Sequence, residues 1–294
     1  MYAGTYTALV TPFTKSGAID EQRLRELVEF QITGGVTGLV PCGTTGESPT
    51  LDHHEHDHVI ELVVKFAGKR CLVIAGTGSN STDEAIALTK HAKAAGADAS
   101  LQVAPYYNKP TQAGLYAHFR AIAEASQMPL IIYNVPGRSS VDVSNETTAK
   151  LRHDLPSLIV GIKDAAGSVD RVSQLRQIVD REFTILSGDD SLTLPMMAVG
   201  AQGVISVASN VVPREVTELV QAALKGDFVQ AGKIHAKLYP LFKDLFIETN
   251  PTPVKAALAL IGKIDEVYRL PLVPMSDANK AQLRKTLAGL GLVK

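Results

Sequence analysis

Short apolar runs rich in β-branched residues alternate eight times with amphipathic helical segments along this sequence. Strands are predicted at Tyr6–Thr11, Gly38–Pro41, Cys71–Gly76, Ser100–Ala104, Leu130–Asn134, Leu158–Lys163, Thr184–Ser187 and Gly203–Ser206. This alternation is typical of parallel α/β folds. A closed (β/α)8 TIM barrel is favoured over a doubly wound open sheet, because the eight units are similar and no antiparallel edge strand is apparent.

The alternation stops after a predicted helix at Val212–Lys225. The segments that follow have helical periodicity with no convincing strand between them, and they are Phe228–Glu248, Pro253–Ile261 and Asp277–Gly289. We therefore predict a barrel over residues 1–225 and a C-terminal helical extension over residues 226–294. The chain of 294 residues is long enough for one barrel of ~250 residues with such an addition.

The charge and composition of the chain argue against several classes of partner. The formal net charge is -1, charged residues make up 20% of the chain, and there is no acidic or basic block. We therefore expect no nucleic-acid partner and no membrane partner. The first residues lack a basic stretch followed by a long apolar segment, so a cytoplasmic protein is expected. Cys42 and Cys71 fall at opposite ends of successive predicted strands, and no disulfide is expected between them.

Lys163 ends the apolar run of the sixth predicted strand, where a charged residue is unusual. Parallel α/β folds place their chemistry at the carboxyl ends of the strands. Burial among apolar groups favours the neutral form of an amine, and a neutral amine can attack a ketone to form a Schiff base. A lone lysine here could instead extend to solvent or pair with Asp164. The other strand ends must decide between these roles.

Two other strand ends carry groups suited to an acidic carbonyl substrate. The second strand runs into Gly43–Glu47, where glycines free the backbone amides and the Thr44 and Thr45 hydroxyls can donate to an anion or pass a proton. The fifth strand leads to Tyr133 and Arg138. Taken singly, these could be a common turn, a packed tyrosine and a surface arginine. Together with an amine, they are the groups required for carbanion chemistry on a keto acid.

Three further loops that follow predicted strands bear on the kind of ligand. Tyr106 and Tyr107 are consecutive aromatics in a proline-flanked loop, so one can face the site while the other points elsewhere, and either could be a simple loop residue. Gly188–Asp190 carries two carboxylates, which disfavour a phosphosugar substrate. Gly76–Asn80 lacks the third glycine of a dinucleotide-binding loop and is predicted to be a ligand-facing turn.

One motif match is predicted to be accidental. His54–His58 satisfies the H-E-x-x-H pattern of zinc peptidases. The match lies at the start of the second barrel helix, without the buried setting of a metallopeptidase site and without an apparent third ligand. We therefore predict no metal site.

These motifs together resemble the pyruvate-dependent Schiff-base aldolases, and within them the dihydrodipicolinate synthase family. The resemblance covers essentially the whole chain, with motifs in family order at Gly43–Glu47, Ile74–Gly78, Pro105–Asn108, Tyr133–Arg138, Gly161–Asp164, Leu186–Asp190, Gly203–Ser206 and Asn250–Lys255. It implies condensation of pyruvate with L-aspartate 4-semialdehyde in the diaminopimelate route to lysine. It also implies that no cofactor is needed, because pyruvate is a substrate that binds covalently to the enzyme.

The resemblance implies four catalytic residues. Lys163 would form the Schiff base, and Tyr133 would donate and accept the proton. Thr44 and Tyr107 would complete the proton relay. In this family the residue that matches Tyr107 enters the site of a neighbouring subunit, so a homotetramer made of two tight dimers is implied.

The resemblance also implies four substrate-binding residues. Thr45 would bind the carboxylate of pyruvate, and Arg138 would bind the carboxylate of the semialdehyde. The backbone carbonyls of Gly188 and Ile205 would line the pocket. The sequence departs from the usual family pattern at Ser139, Asp164 and Ala166, and none of these departures removes a reacting group.

A further set of residues matches, position by position, those that bind lysine in feedback-inhibited members of the family. The set is Ser48, His53, His56, Asn80, Glu84 and Tyr106. The resemblance thus implies L-lysine as an allosteric inhibitor, with a carboxylate for its amino group and hydrogen-bonding groups for its head. Pro49 departs from the frequent alanine. Without the resemblance, the same residues could simply be a solvated helix start with its caps.

Two other functions stay open at this point. An N-acetylneuraminate lyase, or another 2-keto-sugar-acid aldolase, would share Lys163, Tyr133 and the threonine loop, although Arg138 favours the synthase that forms a dicarboxylate. A noncatalytic barrel that senses lysine or pyruvate would keep the pocket, although the complete set of reacting groups disfavours it.

Overall fold

A computed structural model describes residues 2–294, and its eight strands form one closed parallel barrel in sequential order. The strands are β1 (Gly4–Ala8), β2 (Gly38–Val40), β3 (Leu72–Gly76), β4 (Ala99–Val103), β5 (Leu130–Asn134), β6 (Ile159–Asp164), β7 (Thr184–Ser187) and β8 (Gly203–Ser206). β1 pairs with β8 and closes the barrel. The predicted TIM barrel is confirmed, and the alternative of an open sheet is wrong.

The predicted bounds of β5, β7 and β8 are confirmed, and the others need small corrections. β2, β3, β4 and β6 differ from the prediction by one residue at one or both ends. β1 differs most, because it ends at Ala8 and not at Thr11. Beyond Ala8 the backbone still forms hydrogen bonds, although it is no longer a regular strand. Leu9 N donates to Val40 O at 3.0 Å, and Val10 N donates to Asn210 Oδ1 at 3.2 Å.

Nine helices accompany the barrel part of the described chain. They are α1 (Glu21–Thr33), α2 (His53–Ala67), α3 (Thr82–Ala95), α4 (Gln112–Ser126), α5 (Pro136–Ser139), α6 (Asn145–Asp154), α7 (Val169–Ile178), α8 (Thr193–Ala198) and α9 (Pro213–Leu224). α1 illustrates why they form: Asp20 caps its first turn, Leu24 and Leu27 are buried against the barrel, and Gly34 ends it.

Three more helices make up the predicted extension. They are α10 (Phe228–Asp244), α11 (Thr252–Leu260) and α12 (Asp277–Gly289). The prediction of α12 is confirmed, α10 ends at Asp244 rather than at Glu248, and α11 is shifted by one residue. α10 packs against α9, on the two sides of the predicted boundary. Whether the two parts are separate domains stays a prediction.

The strands are buried on both faces, as parallel strands in α/β folds are. An outer hydrophobic layer fills the space between the strands and the helices. An inner cluster fills the barrel itself with Tyr6, Val40, Ile74, Leu101, Ile131, Tyr133, Leu186 and Ile205. The barrel interior is therefore a packed core, and a binding site can form only where that packing ends, at the strand termini.

Two further findings concern the helices and the thiols. Within residues 2–294, no helix combines the length and apolar character that a crossing of the lipid bilayer requires. Cys42 and Cys71 are both free thiols, one buried and the other partly buried.

Barrel closure depends on two glycines that face each other across β1 and β8. A Cβ atom added at Gly203 would lie 1.9 Å from Gly4 O. We predict that Gly203→Ala lowers the free energy of unfolding by about 3 kcal/mol, the upper end of the usual cost of overpacking. The measurement is chemical denaturation of the variant beside the parent protein.

Gly232 of α10 is the matched control, because a Cβ atom added there would have open space around it. Gly232→Ala should be neutral or stabilising by up to about 1 kcal/mol, since alanine favours a helix over glycine. Equal unfolding midpoints for the two variants would contradict this account of closure.

Candidate active site

Lys163 lies one residue before the end of β6, inside the mouth of the barrel, and only 6% of it is exposed. Tyr133 of β5 is its direct neighbour in the sheet. The Lys163 Nζ atom lies 4.1 Å from the centre of the Tyr133 ring. The predicted burial of the lysine beside a phenol is therefore confirmed.

An irregularity between β5 and β6 sets this pairing. Leu130 is opposite Ile159, but the next residue, Ile131, is opposite Gly161, so Val160 is passed over. An unbroken ladder would have put Lys163 opposite Asn134 and turned it to the other face of the sheet. The bulge therefore brings the amine and the phenol to the same face.

The alternative in which Lys163 pairs with Asp164 is wrong. Asp164 accepts hydrogen bonds from Arg171 Nε at 3.1 Å and from the Ala166 amide at 2.9 Å. Arg171 also forms an ion pair with Asp142. Asp164 therefore belongs to a network with Arg171 and Asp142 and does not pair with Lys163. Among residues 2–294, no ion pair includes Lys163. The Lys163 amine therefore has no carboxylate partner among these residues.

Gly188 leaves room for the lysine side chain at the end of β7. A Cβ atom added at Gly188 would lie 2.7 Å from Ala165 Cβ and 3.2 Å from Lys163 Cε. Any larger residue would push against the stem of Lys163. The structure thus gives Gly188 a steric role in addition to the carbonyl role that the resemblance implies.

The threonine loop lies beside this lysine and is held by a residue far away in sequence. Thr44–Gly46 forms a short 3-10 helix after β2, and Thr45 is 3% exposed. Asn250 Nδ2 donates to Thr45 Oγ1 at 3.0 Å, and Arg138 Nη2 donates to the Asn250 carbonyl at 3.3 Å. Asn250 therefore links the two predicted carboxylate-binding residues.

These groups surround a small cavity of about 40 Å³. Six of the predicted site residues line it, and they are Thr44, Thr45, Tyr133, Arg138, Lys163 and Gly188. Ile205 is buried in the inner core of the barrel, and Val207 is the residue after β8 that lines this cavity. The role of the Ile205 carbonyl stays a prediction.

A larger cavity of about 510 Å³ adjoins the first one. Thr44, Tyr133 and Arg138 line both cavities and form the wall between them. Five residues of the predicted lysine site also line the larger cavity, namely Ser48, His53, His56, Glu84 and Tyr106. Ser79, in the turn predicted to face a ligand, lines it too.

Glu84 is the carboxylate of this larger cavity. Ser79 Oγ donates a hydrogen bond to it, and His53 Nε2 lies 2.7 Å from Glu84 Oε1. These two hydrogen bonds lower the pKa of Glu84, with Ser79 as the larger cause. The cavity therefore contains a charged carboxylate at neutral pH, which suits a cationic ligand group.

His56 and Tyr106 complete the wall. His56 Nε2 donates to the Gly76 carbonyl at 2.9 Å, and burial lowers the pKa of His56. Burial also raises the pKa of Tyr106, and the charge of Glu84 adds to that effect. Asn80 lies behind this wall, where Asn80 Nδ2 donates to the Tyr106 carbonyl at 3.2 Å.

The two consecutive tyrosines diverge as predicted. Tyr106 lines the larger cavity, whereas Tyr107 is 90% exposed and lines neither cavity. The backbone of Tyr107 is left-handed, with φ of 70°. Within one chain, Tyr107 thus lies outside the cavity that the other three predicted catalytic residues line.

The residues of the zinc-peptidase pattern at the start of α2 make contacts with other side chains. Glu55 forms a capping box with Asp52 and an ion pair with Arg269. His58 Nε2 lies 2.7 Å from Glu21 Oε1, and the His54 ring stacks on the His58 ring. No cluster of three or more metal-binding side chains is found in the part of the chain that the structure describes.

Two lining residues whose side chains donate hydrogen bonds to predicted site residues were not themselves predicted as site residues. Asn250 belongs to one of the motifs that carry the family resemblance, which is the signal that could have identified it. Ser79 lies in the predicted ligand-facing turn. In both cases the sequence analysis identified the segment, but it did not identify which side chain in that segment contributes to the site.

Comparison with known proteins gives a consistent result. The model of the dihydrodipicolinate synthetase family matches residues 1–290. The 4-hydroxy-tetrahydrodipicolinate synthase of Sulfurihydrogenibium sp. is 54% identical over 295 residues, with all of both chains covered.

Two solved structures are similar over nearly the whole chain. The first is the chloride-inhibited dihydrodipicolinate synthase of Acinetobacter baumannii complexed with pyruvate, with 47% identity, complete coverage of both chains and a TM-score of 0.97. The second is the enzyme of Cyanidioschyzon merolae with lysine bound, with 40% identity, 99% coverage of both chains and a TM-score of 0.96.

Proposed function

The chain belongs to the dihydrodipicolinate synthetase family, and from that membership we propose that it condenses pyruvate with L-aspartate 4-semialdehyde through a Schiff base on Lys163. This is the 4-hydroxy-tetrahydrodipicolinate synthase reaction of lysine biosynthesis. The observation that carries the proposal is the buried Lys163 amine, which lies against the Tyr133 ring and has no ion-pair partner in residues 2–294. We place the protein in the cytoplasm, as this biosynthetic role suggests.

The first half of the reaction activates pyruvate. The neutral amine attacks the ketone carbon of pyruvate, and loss of water from the adduct gives a protonated Schiff base. Thr45 binds the pyruvate carboxylate, with its hydroxyl oriented by Asn250. The Schiff base withdraws electrons from the methyl group, which is the role that a metal ion or a cofactor has in other aldolases.

The second half forms the carbon–carbon bond. Tyr133 protonates the leaving water and becomes a phenolate, which then takes a proton from the methyl carbon, so an enamine forms. The enamine carbon attacks the aldehyde carbon of the semialdehyde, whose oxygen takes up a proton through Tyr133 and Thr44. Arg138 holds the carboxylate of the second substrate at the wall between the two cavities. Attack of the substrate amino group on the Schiff-base carbon then closes the ring and releases Lys163.

We further propose that Tyr107 completes the proton relay in a neighbouring subunit of a homotetramer. Its 90% exposure is compatible with this role, because the Tyr107 ring is free to enter the site of a neighbouring subunit. Tyr107 lines neither cavity of its own chain.

The rival assignment to a keto-sugar-acid lyase shares the same lysine and tyrosine. Arg138 favours the synthase, because it lies within reach of a second substrate that carries a carboxylate, and its guanidinium is fixed by the Asn250 carbonyl. The named relatives at 54% and 47% identity are 4-hydroxy-tetrahydrodipicolinate or dihydrodipicolinate synthases and not keto-sugar-acid lyases.

The larger cavity is proposed as a regulatory site for L-lysine. Glu84 offers a charged carboxylate to an amino group, and Tyr106 offers a hydroxyl to the amino-acid head. A bound ligand would contact the same wall of Thr44, Tyr133 and Arg138 that lines the catalytic cavity. Inhibition can therefore act through this wall without entry of lysine into the catalytic cavity.

Covalent trapping tests the Schiff base. Treatment with pyruvate and borohydride should add one reduced pyruvate adduct per chain, and peptide mass spectrometry should locate it at Lys163. Lys163→Ala should abolish labelling, because it removes the amine that lies beside Tyr133. Lys65→Ala removes an exposed lysine on the same protein and should label normally. Labelling that survives in Lys163→Ala would disprove the mechanism.

Arg138→Ala tests the assignment of the second substrate. Loss of a charge-assisted, hydrogen-bonded partner should lower kcat/KM for the semialdehyde by about 10- to 100-fold. The pyruvate adduct should still form, since Lys163 and Thr45 are unchanged. Arg120→Ala, which removes an exposed arginine of α4, is the control. Faster cleavage of N-acetylneuraminate than condensation of the semialdehyde by the parent protein would favour the lyase.

Glu84→Ala tests the regulatory site. We expect inhibition by L-lysine in the parent protein and its loss in the variant, with uninhibited turnover nearly unchanged. Asp83→Ala removes the neighbouring exposed carboxylate of α3 and should keep inhibition. Steady-state rates over a range of lysine concentrations provide the measurement. Inhibition that persists in Glu84→Ala and competes with pyruvate would show that lysine binds elsewhere.

A further inference from the structure

A completely buried ion pair lies behind the threonine loop. It joins Glu47, the residue that follows the short helix Thr44–Gly46, to Lys255 of α11, and both side chains are 0% exposed. Lys255 Nζ donates to Glu47 Oε1. The same ammonium lies 4.3 Å from the centre of the Phe13 ring, and the aromatic face gives it further stabilisation.

A buried ion pair of this kind contributes little net stability to a fold. Burial lowers the pKa of Lys255, and the charge of Glu47 opposes that effect. Removing two charges from water costs so much free energy that a buried ion pair can often be replaced by apolar residues without loss of stability. What an apolar pair cannot supply is a fixed direction, because hydrophobic contacts do not specify the orientation of a hydrogen-bonded group.

The backbone of Glu47 also needs to be held. Its φ of 55° and ψ of 34° are left-handed, a region that residues with a side chain seldom adopt. In this conformation Glu47 N donates to the Thr44 carbonyl at 3.2 Å, and Glu47 O accepts from Thr50 N at 2.9 Å. An unfavourable backbone conformation persists where the surroundings fix it, and such positions cluster at functional sites.

Other contacts tie the same loop to the extension. The Arg269 amide donates to Glu47 Oε2 at 3.3 Å, and Arg269 Nη1 donates to the Thr50 carbonyl at 2.8 Å. Asn250 reaches Thr45 from the segment just before α11. The extension therefore holds the loop on both sides, at Thr45 by a hydrogen bond and at Glu47 by a pair of charges.

We propose that Glu47 and Lys255 are positioning residues, which fix the Thr44–Thr45 loop so that its hydroxyls face the pyruvate bound to Lys163. Neither residue lines the cavity that contains Lys163, so the pair acts only through the loop. This inference rests on the proposed function, since pyruvate is the ligand whose carboxylate the loop binds.

The test replaces the pair by apolar side chains of similar length. In the double variant Glu47→Met with Lys255→Met, thermal stability should stay close to that of the parent protein. The pyruvate concentration needed for half-maximal borohydride labelling should rise at least about 10-fold, because a loop misplaced by about 1 Å can cost about 100-fold in reactivity. A labelling curve that matches the parent's would overturn the proposal.

A distant buried arginine supplies the control for destabilisation alone. Arg152 is largely buried and bound to Asp180, which lies at the opposite end of the barrel just before β7. Asp180→Asn should lower the thermal midpoint without moving the labelling curve. A shift of the curve in Asp180→Asn as large as in the double variant would show that the effect is general destabilisation, and would also overturn the proposal.

Glu47→Gln keeps the test decisive if the double variant does not fold. This variant retains the shape of the Glu47 side chain. Well below the unfolding temperature of the variant, the pyruvate concentration needed for half-maximal labelling should rise as in the double variant. Combination with Thr45→Val should add little to the larger of the two single effects, since both act on one loop. Fully additive effects, or an unchanged curve in Glu47→Gln, would contradict the proposal.

Labelling of the parent protein separates this inference from the function on which it rests. If pyruvate does not label the parent at Lys163, the proposed function fails. If the parent is labelled and the curves of the variants are unchanged, only the positioning role fails.

Discussion

The pairing of β5 with β6 is the constraint on which the site depends. Side chains alternate between the two faces of a strand, so a shift of one residue would turn Lys163 out of the barrel. The passed-over residue Val160 provides that shift, and it places Lys163 opposite Tyr133. Gly161 allows the close approach to β7 at this point, because a Cβ atom there would lie 2.6 Å from the Thr184 carbonyl. A local defect in the ladder thus produces the juxtaposition of amine and phenol.

The sequence predicted those parts of the molecule that depend on local pattern. The eight strands follow from alternation of apolar runs and helices, and the importance of Lys163 follows from a charge at the end of an apolar run. The bulge at Val160 could not be predicted from the sequence of β6 alone. The register of two paired strands depends on the partner strand as well as on the bulged one. The early end of β1 is another case, since Val10 binds Asn210, a residue 200 positions away.

The contributions of the C-terminal extension were the hardest to predict. Asn250 and Lys255 lie 205 and 208 positions from their partners Thr45 and Glu47. Their sequence environment is a helix start after a proline-rich turn, which predicts α11 but says nothing of where its polar side chains reach. Only the packing of α11 against the barrel mouth brings them to the loop after β2. The extension is therefore part of the candidate site, although most of its residues are distant from Lys163.

The two cavities share one wall, so the same residues contact both spaces. Thr44, Tyr133 and Arg138 contact the space around Lys163 on one side and the space around Glu84 on the other. The proposed regulation rests on this wall, because a ligand in the larger cavity would contact residues that also line the cavity of Lys163. Coupling of that kind is commonly worth ~1–3 kcal/mol, enough to change an affinity or a rate several-fold or more.

A crystal structure of the protein grown with pyruvate tests the central claim most directly. The account predicts continuous electron density from Lys163 Nζ to the ketone carbon of pyruvate, with the carboxylate against Thr45 and the methyl group toward Tyr133. Pyruvate bound with its ketone oxygen intact beside a free Lys163 amine would contradict the account. So would a β6 register in which Lys163 faces away from Tyr133.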